Sequence, residues 1–453
     1  MAIPLTQVWE VRSDTGLATN GGGFDPSVAT PGTDYTYPAS NPVAYTDLVI
    51  QTTMTNVSSV IRPFVVADVG NTLNITGGTG FTIGRYSIRS VAGNIATLDA
   101  SAGTASSTGG LGTLGGAIAL LSTLTSGTSM TQGNIIWMRD NGSFHDLGSG
   151  VTLSFGNVNG GGAGFLFGYS TARNDSGLAS LKQTTNLGTT SAINLSGNGY
   201  LLRGLIVDGQ GTSAGNSSTI SSANQGHRFE RVKAINASGS GACFLTPGAV
   251  FYQCEATGGF GQGISGNNQI YLSYLHDLPK TAASLSQGGS LYRCIVTNIG
   301  ADAVVGDVPF VTNCTFDNIT GSAIRSTNLG SGVSNWQING NILSRCTGYG
   351  IVNGGGLPYN VSNSALTDNN AFYSCTSGNR GGFANVYTND LSLTQSPFMN
   401  IASLDYRLNA TPGGGLPCRS AITPAAFPGL PATTNFADLG AVQSSQFNIL
   451  KLT

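Results

Sequence analysis

Two residues, Glu255 and His276, have side chains that could carry out a reaction together. They fall on successive lines of a repeated pattern, in an outward column that reads Lys233, Glu255, His276, Ile295 and Thr315. If the repeats stack, the carboxylate and the imidazole lie side by side, and such a pair can do general acid–base work. The alternative is a solvated ladder of polar side chains. We favour the ladder, because cleavage of a glycosidic bond usually needs two carboxylates at a defined separation.

The pattern that would position these residues returns at intervals of about twenty residues, as in solenoid proteins. Its lines are Phe-Glu-Arg-Val-Lys-Ala (229–234), Phe-Tyr-Gln-Cys-Glu-Ala (251–256), Leu-Ser-Tyr-Leu-His-Asp (272–277), Leu-Tyr-Arg-Cys-Ile-Val (291–296), Val-Thr-Asn-Cys-Thr-Phe (311–316) and Ile-Asn-Gly-Asn-Ile-Leu (338–343). The fourth column, the sixth column and a third column ten places after the fourth stay mostly apolar. Columns that persist while the loops vary in length indicate stacked coils around a common interior.

The spacing of two residues between the first two apolar columns is the period of a β-strand. Between the strands stand Gly, Asn and Ser, as in Asn318-Ile-Thr-Gly, and these residues favour tight turns. Each coil therefore consists of short strands joined by bends, stacked on the next coil at about 4.8 Å. The sequence predicts an all-β fold, a parallel β-helix.

Composition excludes several classes of function. Only 9% of the 453 residues are charged and the net charge is −2, which argues against a nucleic-acid partner. No stretch approaches 18 apolar residues, so we expect no membrane insertion. The first residues lack the basic start and apolar run of a secretory signal, and we expect synthesis in the cytoplasm without export through one.

The cysteines offer no metal or redox motif. No two of the seven form a CxxC pair, so we expect no bound metal and no cofactor. Cys254, Cys294 and Cys314 share one inward column, and Cys346 and Cys375 share another. We interpret them as small apolar residues that fill the interior as free thiols, with disulfide pairing as the alternative.

Along the chain, four segments differ in pattern. Residues 1–40 contain many Gly and Pro and predict an extended N-terminal arm. Residues 41–128 predict a small β module followed by a connector rich in Gly, Ser and Thr (Ser101–Gly116). Residues 129–394 predict the β-helix, and residues 395–453 predict a C-terminal closing segment.

Two stretches, Gly133-Asn-Ile-Ile-Trp-Met-Arg-Asp and Leu202-Arg-Gly-Leu-Ile-Val-Asp-Gly, together with the rungs and the ending Asp405-Tyr-Arg-Leu-Asn, resemble pectate-lyase-like right-handed β-helix proteins. The resemblance implies the right-handed fold. Pectin-hydrolysing members carry Asn-Thr-Asp, Asp-Asp, Gly-His-Gly and Arg-Ile-Lys motifs, and this sequence has none of them, since Gly226-His-Arg lacks the second glycine. The resemblance therefore does not extend to an enzymatic site. Trp137 and Trp336 could stack on sugar rings, but a tryptophan in a strand is more often packed.

The stretch Phe64-Val-Val-Ala-Asp-Val-Gly-Asn-Thr-Leu-Asn-Ile is similar to small β modules of tailed-bacteriophage virion proteins. That resemblance implies a structural virion protein, forming a surface fibre, a tail spike or a capsid decoration. It further implies a homotrimer, attachment to other virion proteins through the arm and first module, a position on the virion surface and contact with a host glycan. The alternative function is a secreted or virion-borne enzyme that degrades polysaccharides, as a lyase or a glycosidase. In that case Glu255 and His276 would be the catalytic candidates.

Overall fold

The structure is a computed structural model of the chain. It describes residues 8–11, 23–24, 43–69, 72–115, 117–118, 120–122, 130–131, 133, 135–140, 142–156, 164–170, 174–185, 187–285, 288–307, 310–327, 337–354, 368–382, 389–419, 421 and 439–441. These residues divide into two compact units, one of residues up to 185 with 192–207, and one of residues 186–191 with 208 onward. No helix among the described residues has the length and apolar character needed to cross a membrane.

In the first unit, the predicted small β module is present, and its antiparallel strands form a closed barrel. Its interior is filled by the alternate residues of its strands, among them Tyr45, Leu48, Leu73 and Ile88. A short 3-10 helix, Val66–Asp68, follows the second strand. The strands in barrel order are Val43–Ile50, Asn56–Ser58, Ile95–Leu98, Gly84–Ala92, Thr72–Gly77 and Ser107–Gly115.

The last barrel strand corrects the predicted connector. Ser107–Gly115 is not a linker but pairs with Val43–Ile50 and Thr72–Gly77. The sequence did not predict this strand because it is rich in glycine, which is depleted in strands. The glycines are needed for close packing: a Cβ at Gly110 would lie 2.4 Å from the ring of Phe81.

The coils of the first unit are built from short parallel strands. Ile135–Arg139, Phe165–Tyr169 and Leu201–Asp208 stack in register. The module core continues onto them, because Trp137 and Phe167 belong to the same apolar cluster as Tyr45 and Leu48. The other strands of these coils are His145–Asp146, Ala179–Lys182, Met130–Thr131, Val151–Gly156 and Ile193–Ser196.

Part of the predicted N-terminal arm belongs to the β-helix. Val8–Val11 pairs in parallel with Ile135–Arg139 and also contacts Ala117–Ile118 and Gly23–Phe24. The physical reason is that the edge strand of a coil carries unpaired N–H and C=O groups, which a short strand can satisfy. Residues 1–7, 12–22 and 25–40 of the predicted arm lie outside the described residues.

In the second unit, three parallel sheets run through successive coils. The first sheet contains Val250–Tyr252, Gln269–Tyr271, Ser290–Tyr292, Phe310–Thr312 and Gln337–Asn339. The second contains Glu255–Gly259, Tyr274–Leu278, Ile295–Ile299, Thr315–Ile319, Ile342–Cys346, Ala371–Tyr373 and Leu391–Leu393. Arg228–Ala237 supplies a strand to both. The third contains Ile220–Ser222, Ala242–Leu245, Gln262–Ser265, Ala283–Leu285, Val304–Gly306, Ile324–Ser326, Tyr349–Asn353 and Gly378–Gly381.

This is the parallel β-helix that the sequence predicts, with the right-handed connections that join parallel strands in nearly all proteins. Its interior contains rows of like residues. Phe229 and Phe251 stack at 4.8 Å between ring centroids, and the predicted inward cysteines, Cys254, Cys294 and Cys314, are buried free thiols. Burial raises the pKa of Cys254 to about 12, so this thiol stays protonated at neutral pH.

The bend between the first two sheets is the same on every coil. One residue there has a left-handed backbone, with φ of 53° at Gln253, 51° at Leu272 and 53° at Arg293. The residue that follows points inward, and its N–H is met by a side chain of the next coil rather than by a strand. Thus Cys314 N–H donates to Asn341 Oδ1 at 2.8 Å, and Asn341 N–H donates to Asn370 Oδ1 at 3.1 Å.

The repeat pattern read from the sequence assigned the wrong register to one coil. The structure pairs Ala256 with Leu275, not with Asp277, so the line at 272–277 is shifted by two residues and Ser273 joins the cysteine column. The shift arose because Leu272 occupies the left-handed bend position. An apolar residue there resembles, in the sequence, a residue of the interior column. A shift of two residues preserves the alternation of faces, so the pattern did not reveal it.

The C-terminal segment covers the outer face of the second sheet. Phe398–Asn400 and Asp405–Leu408 pair with each other, and short 3-10 helices lie at Ile401–Ser403 and Leu416–Cys418. Tyr406 Oη donates to Thr297 Oγ1 at 2.9 Å. Outer residues of this sheet, including Ile295 and Ile342, are buried in one cluster with this segment, which explains why apolar residues stand in an outward column.

The interior amide ladder gives a test of the fold. Asn341→Ala would leave the buried Cys314 N–H without its acceptor, and we expect the free energy of unfolding to fall by about 2–4 kcal/mol. Denaturant unfolding followed by circular dichroism measures the loss. The exposed Asn267 provides the control, and an effect of Asn267→Ala as large as that of Asn341→Ala would contradict the role of the ladder.

Candidate functional site

Glu255 lies on the outer face of the second sheet and is almost fully buried, with 3% of its surface exposed. Its neighbours in register are Lys233 on one side and Tyr274 on the other. Lys233 Nζ lies 3.0 Å from Glu255 Oε1, and His276 Nε2 lies 2.9 Å from the same oxygen. One carboxylate oxygen thus contacts two basic side chains.

His276 contacts Glu255 without sharing its column, which corrects the predicted arrangement. In register, His276 lies beside Thr257, and Tyr274 takes the place next to Glu255. The imidazole reaches across diagonally and stacks on Tyr274 with 4.0 Å between ring centroids. The sequence therefore identified Glu255 and His276 as a pair. Their contact depends on the direction of the His276 side chain, which the repeat pattern does not show.

Asp277 completes the cluster from the other side of the ring. Its Oδ2 lies 2.6 Å from His276 Nδ1, and Thr257 Oγ1 lies 3.3 Å from that nitrogen. Asp277 occupies a left-handed bend with φ of 51° and its side chain is 57% exposed. Its Oδ1 accepts from Asn298 Nδ2 at 2.8 Å. It therefore turns outward and is not part of the interior.

The electrostatics of the cluster favour an ionised Glu255. Burial by itself raises the pKa of this carboxyl, but the hydrogen bonds from His276 and Lys233 outweigh burial, and the pKa lies below its ordinary value. A carboxyl with a lowered pKa is a poor proton donor at neutral pH. Both nitrogens of His276 contact carboxylates, so the cluster joins neighbouring coils.

One more carboxylate on this sheet is buried as well. Asp317 is fully buried and contacts Arg345 at 2.5 Å and Tyr406 Oη at 3.4 Å, beneath the C-terminal segment. Among the residues that the structure describes, no group of three or more His, Cys, Asp and Glu side chains is arranged to hold a metal ion. Trp137 is packed, with 7% exposure, and Trp336 lies outside the described residues.

A second surface was missed by the sequence analysis. Tyr252, Tyr271 and Tyr292 stand in register on the outer face of the first sheet. They line a cavity of about 410 Å³ together with Arg228, Val250, Leu272 and Arg293. Tyr252 and Tyr292 share a column in the repeat pattern, but the two-residue error on the middle coil removed Tyr271 from it.

Comparison with known proteins gives only remote structural likenesses. No family model and no curated protein matches the chain. A pectate lyase, Pel9A, is similar over 72% of this chain and 91% of its own, at 12% identity and a TM-score of 0.49. The ORF18 protein of Geobacillus virus E2 is similar over 61% of this chain and 58% of its own, at 12% identity and a TM-score of 0.39. The A-module of Azotobacter vinelandii mannuronan C-5 epimerase AlgE4 covers 57% of this chain and 90% of its own, at 10% identity and a TM-score of 0.26.

The predicted resemblance to pectate-lyase-like proteins recurs among these solved structures. The predicted resemblance to tailed-bacteriophage virion proteins is matched only in part, by one protein of a virus. The fold assignment rests on the strand pairing described above. None of these likenesses carries an argument about activity.

The lowered pKa of Glu255 predicts a pH-dependent contribution to stability. Because the folded-state pKa lies below the ordinary 4.5, the ionised carboxylate stabilises the fold above that pH, and the contribution is lost as the pH falls through the folded-state pKa. We therefore expect Glu255→Gln to lower Tm most near pH ~7 and progressively less in acid.

Thermal unfolding of both proteins across this pH range measures the difference. Glu230, which pairs with Arg228 at a more exposed site, supplies the control substitution Glu230→Gln, for which we expect a small effect. A difference between Glu255→Gln and the unmodified protein that grows on acidification would contradict the assignment.

Proposed function

We propose that this chain is a structural protein on the surface of a tailed-phage particle, and that it has no catalytic role. The observation that carries the proposal is the state of the predicted catalytic pair. Glu255 is buried and ionised between Lys233 and His276, an arrangement that links coils and makes this carboxyl a poor proton donor. The stacked coils would supply a stiff surface element.

The first module supports the proposal with a surface suited to attachment. Val60 and Ile61 are 85% and 74% exposed, and Val65 and Val66 are about half exposed. Adjacent exposed apolar residues of this kind usually mark contacts with other proteins. Other virion proteins are the partners that we propose for this surface.

The exposed loop is held in one conformation. Asp47 accepts hydrogen bonds from Ser59 Oγ at 2.6 Å, from Val60 N–H at 2.7 Å and from Ile61 N–H at 2.9 Å. These hydrogen bonds fix the backbone while the two apolar side chains point to solvent. A loop ordered before binding loses less conformational entropy when it docks.

We predict that the loop is needed for incorporation into particles. The double change Val60→Asp with Ile61→Asp should leave the fold intact, because both side chains are exposed, but remove the chain from purified particles. Quantitative mass spectrometry of the particles measures its amount. The control is Ile83→Asp, at a residue of the same module that is 69% exposed.

Absence of the unmodified chain from particles would contradict the proposed function. Release of oligosaccharides from a polysaccharide by the unmodified protein, but not by Glu255→Gln or His276→Ala, would establish the alternative function of a polysaccharide-degrading enzyme.

The proposed assembly is a homotrimer. We expect light scattering of the full-length protein to give about three times the mass of one chain, which is 46.2 kDa. The mass should be independent of concentration over the range in which the protein remains folded. A mass equal to that of one chain would exclude the trimer and leave the attachment loop as the means of assembly on the particle.

A further inference from the structure

We propose that the cavity beside Tyr252, Tyr271 and Tyr292 binds a saccharide chain that carries an anionic group, with the guanidinium of Arg293 receiving that group. The proposal deepens the proposed function, since glycan contact is a role expected of a particle-surface protein. It concerns a different surface from the Glu255 cluster and a different unit from the attachment loop.

The tyrosines form a row whose spacing suits a sugar chain. Because they are in register on successive coils, neighbouring tyrosines are about 4.8 Å apart along the β-helix, close to the length of one hexose in an extended chain. The rings of Tyr271 and Tyr292 meet at 61° with 6.1 Å between centroids, so they form a corner. Tyr252 is 40% exposed at the end of the row.

Arg293 is the feature that indicates an anionic ligand. It is 9% exposed and lines the cavity, and its position at the left-handed bend, with φ of 53°, fixes the start of the side chain. Its Nε and Nη2 are buried, and neither has a hydrogen-bond partner among the described residues. Burying such donors without acceptors is costly, and a ligand oxygen would remove that cost.

The other arginine of the cavity does not have this property. Arg228 Nε lies 2.6 Å from Glu230 Oε1, and the Arg228 side chain is 60% exposed. Its charge is therefore matched within the protein and by solvent. The two arginines of the cavity differ in their environment, because Arg228 has an ion-pair partner and Arg293 has none among the described residues.

The chemistry of the ligand follows from these groups. The apolar face of a sugar ring can pack on tyrosine, while the phenol hydroxyls hydrogen-bond to sugar hydroxyls. A guanidinium binds a carboxylate, sulfate or phosphate through parallel hydrogen bonds. The cavity of about 410 Å³ falls within the range of roughly 300–1,000 Å³ found for small-molecule sites.

The experiment is isothermal titration calorimetry on the full-length protein with defined oligosaccharides. Hyaluronan fragments supply carboxylates, sulfated dextran fragments supply sulfates, and carboxyl-reduced hyaluronan fragments and plain dextran are the neutral counterparts. We expect one anionic series to bind, and its neutral counterpart to bind at least tenfold more weakly. The series that binds identifies the anionic group.

Variants separate the two parts of the site. Arg293→Gln should reduce affinity for the anionic ligand about tenfold or more and leave affinity for the neutral ligand unchanged, whereas Tyr271→Ala should weaken both. Tyr271→Phe should retain most of the binding. Arg231→Gln, at the same bend position outside the cavity, is the matched control and should bind as the unmodified protein does.

Several outcomes would overturn the inference. These are the absence of binding by the unmodified protein to either anionic series, equal affinity for anionic and neutral saccharides, and unchanged affinity in both Arg293→Gln and Tyr271→Ala. Failure here is distinguishable from failure of the proposed function, because incorporation into particles is measured separately and depends on Val60 and Ile61.

Discussion

The structure depends on how the interior satisfies one N–H group at the first bend of each coil. The left-handed residue turns the chain out of the first sheet, and the next N–H would be buried without a strand partner. A side chain on the following coil accepts it: Ser273 for Cys254, Asn341 for Cys314 and Asn370 for Asn341. An unmet buried donor costs about 1–3 kcal/mol, so these contacts favour a single register of stacking.

That register decides what each outer face presents. On the second sheet, Glu255 stands beside Tyr274, and Tyr274 stands beside Ile295 on the next coil. Farther along, the outer column is apolar and is covered by the C-terminal segment. The ionic cluster therefore lies beside an apolar, covered region. On the first sheet, the outer face lines the cavity at the tyrosine row. The two faces of one coil thus differ, one holding coils together and the other being the face that we propose for ligand contact.

Attachment and recognition, as proposed, occupy separate parts of the chain. The apolar loop with Val60 and Ile61 belongs to the barrel module, whereas the tyrosine cavity belongs to the coils of the second unit. The hydrogen bonds to the Asp47 carboxylate hold the apolar loop in place, and the in-register strands hold the tyrosines of the cavity in place. Neither surface requires the catalytic chemistry that Glu255 and His276 first suggested.

The sequence by itself determined the coil and most of its interior columns, and it placed Glu255 and His276 on adjacent coils, because stacking repeats a local period of two residues that is visible in one dimension. Only the tertiary structure decided the register of the coil at 269–285, because the apolar Leu272 at the bend cannot be distinguished from an interior residue in the sequence. It also decided which groups are buried. The pKa of Glu255 and the covered outer face of the second sheet depend on neighbours distant along the chain. So does the burial of Arg293 Nε and Nη2, which have no hydrogen-bond partner among the described residues. Local patterns determine which residues face outward, but the contacts that neutralise, bury or expose them come from other coils.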